Sequence, residues 1–152
     1  MTIPSLYDAV FTQPAFDNHA HPLLRSEKRH LLPFEGLISE AKGSALVDDA
    51  PYTLACFRAT KHLAQLYGLD QNTTWEDVKS HRAGVDYIKL CSMCFEQSRI
   101  KHILIDDGLD VLKTLSEDHK WHDQFVSGTT KRIVRIELEA EVCLTQIQRL
   151  GC

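Results

Sequence analysis

The sequence predicts an α/β fold built on a parallel sheet. Two observations carry that reading. Apolar runs at residues 15–19, 102–107 and 132–137 read as strands, and helical periodicity fills the intervals between them. Each run also stops at polar residues: His19 and His21, then Asp106 and Asp107, then Glu137. Strand alternating with helix is the grammar of parallel α/β proteins. Functional side chains at the carboxyl ends of successive strands suit both doubly wound sheets and (β/α)8 barrels. No glycine-rich phosphate loop follows any of the three runs, which argues against nucleotide binding.

Ser5 to Thr12 reads as a short helix, with Ser5 as N-cap and Leu6, Ala9 and Val10 as an apolar stripe. Pro14 ends it, and Ala15 to His19 follows as the first strand. A short helix is expected between Leu31 and Gly43, and Asp48-Asp49-Ala50-Pro51 reads as a break. From Thr53 to Tyr67 the apolar spacing is helical, with Thr53 as N-cap and Gly68 at the left-handed C-cap position. Thr73-Thr74-Trp75-Glu76 has the spacing of a capping box and opens a helical region that bends near Gly84 and runs to about Ser98. The run His102-Ile103-Leu104-Ile105, stopped by Asp106-Asp107-Gly108, reads as a strand buried on both faces. Residues 109–125 read as loop and short helix. Arg132 to Glu137 repeats the strand logic and passes into an amphipathic helix from Leu138 to Arg149. Ile103, Leu104, Ile105, Ile133, Val134 and Ile136 are the expected sheet core.

A chain of 152 residues can bury a real core. With 25% charged and 43% hydrophobic residues it reads as globular rather than disordered. The net charge of −4 gives no support for a nucleic-acid partner. Five cysteines, an odd number without a disulfide framework, point to reduced thiols and a cytoplasmic location. Met1 to Val10 lacks the pattern of a secretory signal, and no apolar stretch is long enough to span a membrane.

The most informative stretch is His19-Ala20-His21-Pro22. In an extended strand, side chains at i and i+2 share a face, so two imidazoles stand side by side. Pro22 cannot donate to a ladder, which places the pair at a strand end. Two neutral imidazoles form a half-site for a divalent metal; the plainer reading is two loop histidines. Cys91-Ser92-Met93-Cys94 lies within a helical pattern without a second such pair, and reads as two core-facing thiols rather than a metal or redox motif. His119 and His122, three residues apart in a charged segment, read as a solvated face.

Taken in order, His19-Ala20-His21-Pro22, Ile38-Ser39-Glu40-Ala41, Phe57-Arg58, Ile103-Leu104-Ile105-Asp106-Asp107-Gly108 and Arg132-Ile133-Val134-Arg135-Ile136-Glu137 resemble the FluG-like, nodulin/glutamine-synthetase-like amidohydrolases of the metal-dependent amidohydrolase superfamily. The resemblance runs from about Leu6 to Leu150. It implies a (β/α)8 (TIM-type) barrel and a divalent metal, usually zinc, that activates water to hydrolyse an amide-type bond in a small-molecule substrate. His19 and His21 match the family's first-strand metal ligands. A full barrel takes about 250 residues, so residues 1–152 are expected to be the N-terminal portion of one, about three β/α units. Asp107 and Glu137, at their strand ends, are the candidate catalytic acids and could add oxygen ligands to the two histidines. Asp107 could instead be a simple polar terminus, and Glu137 a partner of Arg135.

Three functions follow. The first is an amidohydrolase-type hydrolase, incompetent as this portion alone, with exposed barrel edges prone to self-association. The second is a non-catalytic interaction module, or a gene-model fragment of a longer amidohydrolase/glutamine-synthetase-like protein. The third, a thiol activity at Cys91 and Cys94, has the least support.

Overall fold

A computed structural model describes residues 5–108 and 113–149. They fall into two compact units, one formed by the described residues up to Arg25 together with those from Ser98 onward, the other by residues 26–97.

The first unit is organised by three strands, β1 (Ala15–Ala20), β2 (Ile100–Ile105) and β3 (Thr130–Arg132), in the order β1-β2-β3. Both pairings are parallel: Ala20 lies opposite Ile105, and Ile105 opposite Arg132. The β1–β2 register shifts between Ala15 and Phe16 and again between Asp17 and Ala20. The parallel pairing matches the sequence expectation. The barrel does not. The sheet is small, open and three-stranded, in a helix-rich chain, so the (β/α)8 reading is corrected. Closure needs further strands to satisfy the free edges of β1 and β3, and the described residues contain none.

Burial follows from that openness. Ile103 and Ile105 of the central strand are buried, while Leu104 and Ile133 are only half-buried. Val134 and Ile136, expected in the core, are 58% and 79% exposed. The sequence places β3 at residues 132–137, but its pairing stops at Arg132, with one further bond from the Ile133 N–H to the Ile105 carbonyl (2.8 Å). The chain then turns into a helix. A β-branched run is therefore not sufficient for a strand; the paired length decides.

Two helices flank the sheet in sequence, α1 (Leu6–Thr12) and the later helix Ile136–Arg149, and neither buries a side chain. Ser5 caps α1 as expected, accepting from the Asp8 N–H. Gly128 carries the return into β3. A Cβ there would collide with the Lys101 carbonyl oxygen and the His102 ring, so this position requires glycine for space.

The second unit is helical. Short turns at Phe34–Leu37, Ala45–Asp49 and Ala50–Tyr52 lead into α2 (Leu54–Tyr67), α3 (Trp75–Gly84) and α4 (Tyr87–Ser98). The two caps of α2 read from the sequence are present. The Thr53 hydroxyl accepts from the Cys56 N–H, and Gly68 ends α2 at φ 67°, ψ 30°. The capping box of α3 is shifted by one residue from the Thr73–Glu76 spacing expected from the sequence: Thr74 and Asp77 form it reciprocally. The bend expected near Gly84 is a full break, since Val85 leaves helical geometry.

The core of this unit is Cys56, Trp75 and Val78, packed by Phe34, Ile38, Ala59, Leu63 and Tyr67. Beneath it lies Glu35, only 2% exposed. The Trp75 indole N–H and the Lys79 ammonium both donate to Glu35 Oε1, at 2.9 and 2.8 Å. Burial alone would push the Glu35 carboxyl up; the bonds from Lys79 and Trp75 outweigh it and hold the group below its ordinary value. Of the two thiols read as core-facing, Cys91 is buried and Cys94 is exposed. Burial raises the Cys91 thiol above its ordinary value, which lowers the share present as the nucleophilic thiolate.

Candidate functional site

The parallel pairing brings the carboxyl ends of all three strands to one end of the first unit. His19 is in β1, and His21 sits one residue past it. Their rings are 5.5 Å apart between centroids and inclined by 62°, so the i, i+2 expectation of neighbouring imidazoles is met.

The residue that ties this end together is Asp106, the first residue past β2. Its N–H donates to the Ala20 carbonyl (2.8 Å), between the two histidines in sequence. Its own carbonyl is 3.1 Å from His21 Nδ1. A carbonyl only accepts, so Nδ1 is the donor, and in the neutral imidazole this leaves the lone pair on Nε2. His19 Nε2 lies 3.5 Å from Asp106 Oδ2. The carboxylate, in a residue 4% exposed, is gripped on both oxygens by Arg135, at 2.7 to 3.1 Å, and accepts from the Gly108 N–H at 3.1 Å. Arg135 foremost, then the Gly108 bond, holds the Asp106 carboxyl far below the usual carboxylate range despite its burial.

The two acids singled out from the sequence are placed differently. Asp107 pairs with Arg132 at 2.5 Å. Glu137 is not at a strand end: it lies in the first turn of α5 (Ile136–Arg149), exposed, 4.0 Å from Arg135. That is the Arg135 pairing left open by the sequence. Among the described residues, no three His, Cys, Asp or Glu side chains converge as a closed metal-ligand set. The residues present fit a two-imidazole half-site, and no more than that.

His122 is the residue that sequence reasoning misplaced. Read as part of a solvated face, it is 1% exposed. Its Nε2 accepts from the Leu23 N–H (3.0 Å), and its Nδ1 donates to the Asp118 carbonyl (2.9 Å). The same segment is laced further: Glu117 N–H to Leu23 carbonyl and Arg25 N–H to Leu115 carbonyl, both 2.9 Å. His122 thus fastens the chain just after His21-Pro22. Its neighbour Trp121, whose ring centroid is 4.9 Å from that of Phe125, was the available signal that this turn packs inward.

Burial lowers the His122 imidazole below the ordinary 6.5. A histidine depressed in the fold is neutral there while the unfolded chain takes up a proton. Its contribution is therefore whole above about pH 6.5 and is lost as pH falls below it. Urea midpoints should drop between pH 7.5 and 5.5, and drop less in His122→Gln. An equal drop in both proteins would contradict this assignment.

No family model matches the chain, and no solved structure matches it. Over 156 aligned residues, 99% of this chain, it is 41% identical to Protein fluG of Emericella nidulans. The match covers 17% of that protein, so the chain is FluG-like along its length and spans a small part of the relative it resembles.

Proposed function

We propose that the carboxyl end of the β1-β2-β3 sheet is a divalent-metal half-site of amidohydrolase type, and that the residues described do not complete a working catalytic centre by themselves. The observation that carries this is the His19–His21 pair, two imidazoles 5.5 Å apart at a parallel strand end beside a buried carboxylate. The resemblance of the sequence motifs to FluG-like amidohydrolases supports the class of chemistry, and the 41% identity to Protein fluG supports the FluG-like relation. A divalent ion, with zinc the first choice for nitrogen donors, supplies Lewis acidity toward a carbonyl and toward water. His21, oriented through its Nδ1 bond, offers Nε2, and His19 offers the neighbouring donor. Catalytic zinc takes three protein ligands and an open position, and two imidazoles fall short of that. Asp107 and Glu137, the earlier candidates for catalytic acids, are engaged by arginines or face solvent, which favours an incomplete centre.

Elemental analysis of the purified chain tests the reading. The purified parent should hold zinc weakly, and His19→Ala/His21→Ala should carry less of it. Equal metal content would end the proposal. Small amides and γ-glutamyl compounds should show no measurable turnover with residues 1–152 alone; substantial zinc-dependent hydrolysis abolished by His21→Ala would show that the centre is complete.

A non-catalytic binding role has one observation in its favour. Helix α5 leaves Ile136, Val142, Leu144 and Ile147 exposed, and large apolar side chains held in water are a mark of a binding surface where they gather.

A further inference from the structure

We propose that an open cleft in the helical unit binds a small organic carboxylate, with the charge held by Arg82 and the apolar body covering Leu32, Phe34 and Val47. No residue of the histidine pair takes part.

The cleft has a volume of about 510 Å³, in the ordinary range for a small-molecule site. Its lining combines apolar Leu32, Phe34 and Val47 with cationic Arg29, Lys79 and Arg82. Leu32 and Val47 are exposed and Phe34 is half-buried. Large apolar side chains left in water around a concavity gain from being covered, and charged groups among them fix which ligand can cover them.

The charges decide the class of ligand. Lys79 is committed: its ammonium donates to Glu35 and to Glu76, at 2.8 and 3.1 Å. Those two acids, both in the lining, therefore share one cation. Arg29 is committed in another way. Its guanidinium donates to the Val85 and Ala83 carbonyls at the end of α3 and to His30 Nε2, at 2.7 to 3.0 Å. These acceptors are neutral, so its positive charge stays uncompensated. Arg82 has no such commitment. It is half-buried, with its guanidinium 4.5 Å from the centroid of the Phe34 ring, and a cation–π contact consumes none of its five N–H donors. Among the described residues, no acceptor takes a hydrogen bond from the Arg82 side chain and no acid pairs with it.

Three cations against two acids leave the lining at a net charge of +1, within a chain of net charge −4. One surplus charge and one open guanidinium fork suit a carboxylate, accepted through two parallel N–H bonds, better than a phosphate dianion. The fork is also held ready. Phe34 stacks on Trp75, and both belong to the packed centre of the unit, so the ring beneath the cation does not have to be ordered when a ligand arrives.

The probe is para-trifluoromethylphenylacetate, titrated into the full chain and followed by fluorine NMR. The matching phenylacetamide is the neutral control, and para-trifluoromethylphenyl phosphate is the second anion. The parent should bind the carboxylate with a dissociation constant of about 1 mM or tighter, and the amide about tenfold or more weakly, as the loss of charge-assisted hydrogen bonds implies. Arg82→Gln should lose about tenfold for the carboxylate and little for the amide. Val47→Asp places a polar group where the apolar body would lie, at an exposed position that tolerates it, and should weaken both. Arg58 is exposed on α2 and outside the lining, so Arg58→Gln should bind as the parent does. Should Arg82→Gln fail to fold by circular dichroism, Val47→Asp carries the test, and parental affinity there would overturn the proposal. So would no saturable binding by the parent, an amide that binds as tightly as the carboxylate, parental affinity in a folded Arg82→Gln, or an equal loss in Arg58→Gln. Tighter binding of the phosphate than of the carboxylate would overturn the class of ligand assigned to the cleft.

Discussion

Trp75→Ala should remove about 3–5 kcal/mol from the stability of the helical unit, the range for deleting a buried large aromatic. Three losses coincide there. Trp75 belongs to the core cluster with Cys56 and Val78. Its ring stacks on Phe34, with centroids 5.0 Å apart and planes within 9°, a contact carried further by Arg82 over Phe34 at 4.5 Å. Its indole N–H is also one of the two side-chain donors to the buried Glu35, and a buried carboxylate stripped of a donor costs more than the bond was worth. Trp75→Phe separates the terms. It keeps most of the packing and loses the N–H, and should cost about 1–2 kcal/mol. Urea denaturation followed by far-ultraviolet circular dichroism reads both. A cost for Trp75→Ala below about 1 kcal/mol, the level of an ordinary surface change, would mean that this residue is not the centre of the unit's core.

Ile105→Ala should cost about 2–5 kcal/mol in the sheet unit. Ile105 is fully buried, sits on the central strand, and pairs with both neighbours, Ala20 and Arg132. In an open three-stranded sheet the central strand is the one place where burial and pairing coincide, so the cavity has few neighbours able to collapse into it. Ile105→Val, which removes one methylene, should cost about 0.5–1.5 kcal/mol. Phe16→Ala, on the exposed edge strand, should cost less than Ile105→Ala despite deleting a larger side chain. The reverse order in denaturation midpoints would refute this account of where the sheet's stability lies.

Local signals were legible in the sequence because local chemistry decides them. The caps at Ser5, Thr53 and Gly68 are each made within three or four residues and lie where the sequence places them, while the capping box of α3 lies one residue on from the expected spacing, at Thr74 and Asp77. The strands at β1 and β2, and their parallel sense, were legible from composition and order. The third strand was misjudged because a β-branched run such as Ile133-Val134 says nothing about how far its partner extends. The barrel was inferred from resemblance and from strand ends, and neither measures whether a sheet closes. At the site, His19 and His21 could be read from spacing alone. Asp106 was passed over for Asp107 because alternation along a strand does not tell which of two adjacent acids meets an arginine 29 residues later. His122 was passed over because its burial comes from Leu23, 99 residues away, which no local pattern can express.

The parallel pairing of β1 with β2 joins residues far apart in time as well as in sequence. His21 and Asp106 are 85 positions apart. At synthesis rates of about 5–20 residues per second, roughly 4–17 s pass between them. Through that interval β1 has no partner, and the helical unit encoded between the strands is made first. Because this pairing is non-local, its formation should be slow compared with the helices' own. A nascent chain therefore carries two free imidazoles before either the carboxylate or the arginine that holds it has been translated, and Arg135 arrives last of the four.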